Sequence, residues 1–172
     1  MNRKVMFWLL MTLISIIVGI FIYFYAETGT IRYNKNNISF KCNNGWHLSE
    51  KDNVITLNHE KSLGTITIIT DKKQPSLNEF TNEQIANSVS YQIVENYDKY
   101  ELVYSKLETD YNPKYVLYNY LYEAKDGTSQ IEVLVGMTNN HVFSLVYENE
   151  NSEFDLLLIN FEDVVRSFNI TD

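Results

Sequence analysis

Residues 5–26 read VMFWLLMTLISIIVGIFIYFYA and carry no charged side chain. A bilayer's hydrocarbon core is about 30 Å thick and takes about 20 apolar residues to cross as a helix. In lipid every backbone polar group must be satisfied within the segment, so this run is predicted as one transmembrane helix. Arg3 and Lys4 precede it and Glu27 is the first acidic residue after it. That asymmetry puts residues 1–4 in the cytoplasm and everything after the span outside. Trp8 at one end and Phe21, Tyr23, Phe24 and Tyr25 at the other are placed as interfacial anchors. A cleaved signal peptide is the alternative. Its apolar region would be about 7–15 residues with a small-x-small cleavage site, whereas Phe24 occupies a small-residue position for cleavage after Ala26. The expectation is therefore an uncleaved signal anchor over 5–26, single-pass in the cell membrane, with the lipid bilayer as its partner.

Residues 27–37 read as a short linker and 38–172 as the extracytoplasmic domain. Setting Arg3 and Lys4 apart leaves 12 basic against 22 acidic residues beyond the span. Such a domain is repelled by an anionic lipid surface, and no basic cluster tracks phosphates, so no nucleic-acid partner is expected. The coding bias, rich in Asn and poor in Ala, is that of a low-GC bacterium. Cys42 is the only cysteine, so no internal disulfide forms. It alternates with Ile38 and Phe40 in ISFKC, which makes it a buried, inert thiol.

Periodicity places the elements. Period-2 or β-branched runs mark strands at 38–42, 53–59, 63–70, 100–108, 115–124, 130–138 and 141–148. NNGW and EKSL read as turns. Asp126-Gly127 and Asn139-Asn140 are hairpin chemistry, so the last four strands form an antiparallel meander. Residues 75–94 have helical spacing at Leu77, Phe80, Ile85, Val89 and Ile93, with Pro75 at the start and a Ser76/Glu79 capping box. A second helix runs from Ser152 to Phe168, its stripe formed by Phe154, Leu157, Leu158, Phe161, Val164, Val165 and Phe168. Asn160, Glu162, Asp163 and Ser167 lie opposite. The order β-β-β-α-β-β-β-β-α predicts an α+β fold: an antiparallel sheet of six or seven strands flanked by helices, plus the one N-terminal transmembrane helix.

The run YVLYNYLYE (115–123) is predicted as a strand, with Val116, Tyr118, Tyr120 and Tyr122 on one face and Tyr115, Leu117, Asn119 and Leu121 on the other. Between two helical layers both faces belong to the core. Exposed rings at Tyr118, Tyr120 and Tyr122 would instead form a ligand face.

NNISFKCNNGWHLSE resembles the opening of PsbP-like domains, where an extended strand leads to a Gly-Trp pair before a hairpin. Asn43 and Asn44 stand where that family usually has a Tyr-Pro or similar pair. The closing FEDVVRSFNI (161–170) is similar to the family's terminal helix and its Ser-Phe ending. The resemblance to the Mog1/PsbP-like superfamily covers about residues 31–170. It implies a central antiparallel sheet with helices on both sides, and binding or assembly roles without shared catalytic residues. Photosystem accessory proteins, a nuclear-transport factor that binds a small GTPase and bacterial envelope proteins belong to that superfamily.

His47, His59 and His141 match no metal or catalytic spacing, and no phosphate-binding, nucleotide-binding or nucleophile-elbow motif is present. No cofactor or metal is expected. Candidate interaction residues are Trp46 and His47 in the NNGW segment, Tyr111 at a loop tip, and Tyr118, Tyr120 and Tyr122. Trp46 also reads as a side chain that locks its loop to the core. The functional expectation is a membrane-anchored extracytoplasmic binding or assembly module without catalysis, an accessory subunit with a protein partner at the envelope. A small-ligand or sensory domain, or an envelope hydrolase with a non-standard site, are the alternatives.

Overall fold

The computed structural model describes residue 11 and residues 14–17, 29–108, 114–125 and 127–172. Residue 11 and residues 14–17 are helical. Among the described residues no helix is long and apolar enough to cross a membrane, and the span expected over 5–26 lies largely outside them. Arg32–Asp172 forms one compact unit.

The strands are β1 (Thr30–Lys35), β2 (Ile38–Asn43), β3 (Trp46–Lys51), β4 (Val54–His59), β5 (Thr65–Lys72), β6 (Glu101–Glu108), β7 (Tyr115–Ala124), β8 (Gly127–Met137), β9 (His141–Glu150) and β10 (Asn169–Ile170). Helix α1 spans Asn82–Val94 and α2 spans Phe154–Ser167, and a 3₁₀ turn covers Pro75–Glu79. Seven strands form one antiparallel sheet in the order β3-β4-β5-β9-β8-β7-β6, and β1-β2-β10 form a second. The expected α+β architecture is present, and so is the closing meander from β6 to β9. The early hairpins join it where β5 pairs with β9.

Three local readings are corrected. The segment read as a linker contains β1, which turns into β2 through Asn36 and Asn37, both at positive φ (53° and 66°). Adjacent residues in that conformation match the twist of a two-residue hairpin. Next, a strand rather than loop follows Asn44-Gly45: β3 pairs with β4 from Trp46↔His59 to Lys51↔Val54. Most of β3 is exposed, so it lacks the apolar alternation of a half-buried strand. Finally, 75–94 is not one helix. Phe80 is extended and ends the 3₁₀ turn. The capping box is Thr81/Gln84: Gln84 N–H donates to Thr81 Oγ1 at 3.2 Å, and Thr81 N–H donates to Gln84 Oε1 at 2.9 Å.

Each helix packs on one face of the large sheet. Ile85, Ala86 and Val94 of α1 belong to a core cluster with Val116, Tyr118, Tyr120 and Tyr122 of β7 and Ile131, Val133 and Val135 of β8. On the other face Tyr147 packs against Phe154 and Phe161 of α2, at ring-centroid distances of 4.7 and 5.5 Å. The polar face of α2 serves the small sheet. Asn43 Nδ2 donates to Asn160 Oδ1 at 2.7 Å, and the Lys41 backbone N–H donates to Ser167 Oγ at 2.8 Å. Cys42 is 1% exposed, and burial pushes its thiol up to about 12.

Candidate functional site

A seven-stranded sheet is roughly 29 Å wide between its outermost strands at about 4.8 Å spacing, whereas a helix with its side chains is about 10–12 Å across. Helix α1 lies over β7 and β8. The same face of β9 and β5 is therefore left to form a groove beside it. The groove encloses about 740 Å³. Its apolar surface comes from Ile69, Val142, Leu77, Val89 and Ile93, and Asp71, Lys72, Gln74 and Gln92 supply polar groups. An apolar concavity with a few polar groups is the usual character of a binding site. Leu77 comes from the 3₁₀ turn, so the break at Phe80 helps shape this wall.

The tyrosine face lies next to the groove but is closed. Tyr118, Tyr120 and Tyr122 are 4%, 6% and 8% exposed, which corrects any reading of their rings as an open ligand face. Each ring is buried near α1 and each hydroxyl finds a partner, as buried phenols require. Tyr118 donates to Asn87 Oδ1 at 2.5 Å, and Tyr120 shares a 2.6 Å hydrogen bond with Ser90 Oγ. Tyr122 donates to Glu148, whose other carboxylate oxygen accepts from Tyr97 at 3.0 Å. Burial first, then Glu148, raises both the Tyr97 and Tyr122 hydroxyls far above the ordinary phenol range.

Trp46 is 3% exposed and packs on His59 at 5.1 Å, so it fastens its segment to the core. His47 is exposed and stands 3.5 Å from Glu60. Its strand, β3, and the tyrosine strand, β7, are separated by four others. Trp46 and His47 therefore do not join the tyrosines in one site. Tyr111 lies outside the described residues.

The histidines do not converge. His59 Nδ1 is 2.9 Å from Ser62 Oγ, and His141 Nδ1 is 3.3 Å from Asp172 Oδ1. These pairs sit at opposite ends of β5, because His141 pairs with Lys72 while the His59 backbone N–H bonds Gly64. Among the described residues no cluster of His, Cys, Asp or Glu is arranged to hold a metal.

A second cleft, of about 430 Å³, lies against α2 and is lined by Glu108, Tyr115, Leu117, Glu132, Glu162 and Arg166 among others. Glu132 is 7% exposed, with Asn119 Nδ2 donating to it at 3.4 Å. Its carboxyl is pushed up to about 7, by burial first and by Glu162 and Glu108 as well, against the hydrogen bonds from Asn119 and Tyr104. Glu132 is not singled out in the sequence reading. Its signal lay in the register: Gln130, Glu132 and Leu134 alternate with Ile131, Val133 and Val135 in a strand covered on both faces.

No protein-family description and no curated protein matches this chain in sequence. Similar folds occur among solved structures. The cyanobacterial PsbP protein (CyanoP) of Synechocystis is 14% identical and aligns over 83% of this chain and 93% of its own, with a TM-score of 0.61. LpqN of Mycobacterium tuberculosis, described as involved in cell envelope biogenesis, is 10% identical over 86% of this chain and 95% of its own, with a TM-score of 0.58. A Bacteroides thetaiotaomicron protein is 14% identical over 84% of this chain and 48% of its own, with a TM-score of 0.55. The chain has a PsbP-like α+β fold.

Proposed function

We propose that this chain is a membrane-anchored extracytoplasmic binding module, an accessory subunit of an envelope assembly that performs no catalysis itself. The groove beside α1 carries the reading: about 740 Å³, apolar along its floor and wall and supplied with polar groups. Support for the location comes from the uncharged run over 5–26 and its flanking Arg3 and Lys4. Likeness in fold to a protein involved in cell envelope biogenesis agrees with the setting. The partner is a protein segment with apolar side chains for the groove and basic residues that complement an acidic domain. A small apolar ligand is the second reading, favoured because the volume falls within the range of about 300–1,000 Å³ typical of such sites.

The test is crosslinking and capture of the full chain in its native membrane, beside a Gln92→Trp variant. Gln92 is exposed at the groove, so the new ring obstructs it without entering the core. A reproducible protein partner for the wild type, lost in the variant at unchanged thermal stability, supports the proposal. An identical partner set for both chains removes the groove from it. A native mass shift from a small molecule, with no protein recovered, favours the second reading.

A further inference from the structure

Strand β6 is the outermost strand of the large sheet, and its burial is unlike that of its neighbours: every residue from Glu101 to Leu107 is exposed. Leu102, Val103, Tyr104 and Leu107 are 49%, 50%, 47% and 49% exposed. Among the described residues no strand pairs with its outer edge. An eight-residue edge strand rich in exposed apolar side chains is a template for another strand.

The choice of occupant follows from register. Two copies of one edge strand pair antiparallel about a two-fold axis normal to the sheet. That axis leaves each side chain on its own face, so facing residues must share a face. In an unbroken strand, residues of opposite parity cannot then face each other. In β6 the alternation is broken: Leu102 pairs with Tyr120 and Tyr104 with Asn119, leaving Val103 as the extra residue of a bulge. Leu102, Ser105 and Leu107 accordingly share the α1 face with Tyr120, Tyr118 and Val116, while Glu101, Tyr104 and Lys106 share the α2 face. With the two-fold axis centred on the bulge, Glu101 faces Lys106 of the second copy, and Leu102 faces Ser105. Like-faced pairs result on both sides of the axis. Lys106 bridges Glu108 of its own strand at 2.8 Å, and in this register Glu101 of the second copy adds a second carboxylate on its other side, so opposite charges meet directly across the new ladder, an arrangement that favours this register.

We propose that β6 pairs with β6 of a second copy of this chain in that register, making one sheet continuous across a dimer. The interface is separate from the α1 groove and leaves it open. The bulge and Lys106, which blunt pairing with arbitrary strands, become the features that select self-pairing.

The experiment uses the full chain in native membranes and in detergent. A Leu102→Cys, Ser105→Cys double variant places thiols opposite each other across the axis, while Cys42 is 1% exposed and does not compete. Oxidation is expected to convert at least half of this variant to a disulfide-linked dimer, and a His47→Cys, Ser49→Cys variant on β3, the opposite edge strand, to give none. Lys106→Glu alone is expected to lower dimerisation at least tenfold by sedimentation, as is Glu101→Lys alone. The combined swap restores it to within about threefold. Circular dichroism checks that each variant folds. A folded wild type that sediments as a monomer at 100 µM overturns the proposal. So does a dimer that is indifferent to the single swaps, or a combined swap that restores nothing.

Discussion

Tyr120 on β7 and Ser90 on α1 share a 2.6 Å hydroxyl–hydroxyl hydrogen bond inside the core. Tyr120 is 6% exposed and Ser90 is fully buried, so neither hydroxyl can turn to solvent. Removing one partner leaves the other without its bond in a low-dielectric site. Tyr120→Phe and Ser90→Ala are each expected to cost about 1–2 kcal/mol. The double variant should cost less than the sum of the two, because it leaves no widowed hydroxyl. Urea denaturation of all four chains reads the coupling.

Glu132 makes stability depend on pH. Its folded-state value, pushed up to about 7, lies above the ordinary carboxyl value of 4.5 from which burial shifts it. Below 4.5 the carboxyl is neutral in both states and the fold loses nothing. Between 4.5 and 7 the unfolded chain has released its proton and the folded chain has not, so stability falls as pH rises and levels off above 7. The loss at pH 8 is on the order of 3 kcal/mol. Glu132→Gln keeps the shape and an acceptor for Asn119. Its melting temperature should exceed wild type at pH 8 and converge with it at pH 4.5.

Helix α1 begins at Thr81. Thr81→Ala is expected to destabilise the domain by about 1 kcal/mol. Ser76→Ala should stay within about 0.5 kcal/mol, since Ser76 lies in the separate 3₁₀ turn. Thermal melts of the two variants test which capping box forms.

Gly136 faces Phe143 across the β8–β9 ladder, and a Cβ there would lie 2.3 Å from the Phe143 ring. That ring also packs on Phe168 at 5.0 Å, which limits its retreat. Gly136→Ala is expected to cost about 1–3 kcal/mol by overpacking. Chemical denaturation checks it.

The α+β class and the closing meander were legible because β7, β8 and β9 carry long β-rich runs bounded by turn residues. The face assignment of β7 was legible for the same reason, since side chains alternate with a period of two. β1 escaped because its alternation is only two apolar residues long, Ile31 and Tyr33, and β3 because all of it after Trp46 is exposed and shows no apolar pattern. The helix start was misplaced because Ser76/Glu79 and Thr81/Gln84 satisfy similar local rules, and the extended Phe80 decides between them. The groove comes from strands and a helix far apart in sequence: Ile69, Val89 and Val142 meet through topology. A cue was present in the count of strands, because one 13-residue helix cannot cover a seven-stranded face.

Site-specific photo-crosslinking in the native membrane shows whether the α1 groove holds a protein partner. A benzophenone amino acid replaces Gln74 in the groove, and in a second chain it replaces Lys125, which is exposed at the β7–β8 turn. A discrete, reproducible protein adduct is expected from position 74 under ultraviolet light, absent or at least tenfold weaker from position 125. No adduct from position 74, or equal adducts from both positions, would contradict it.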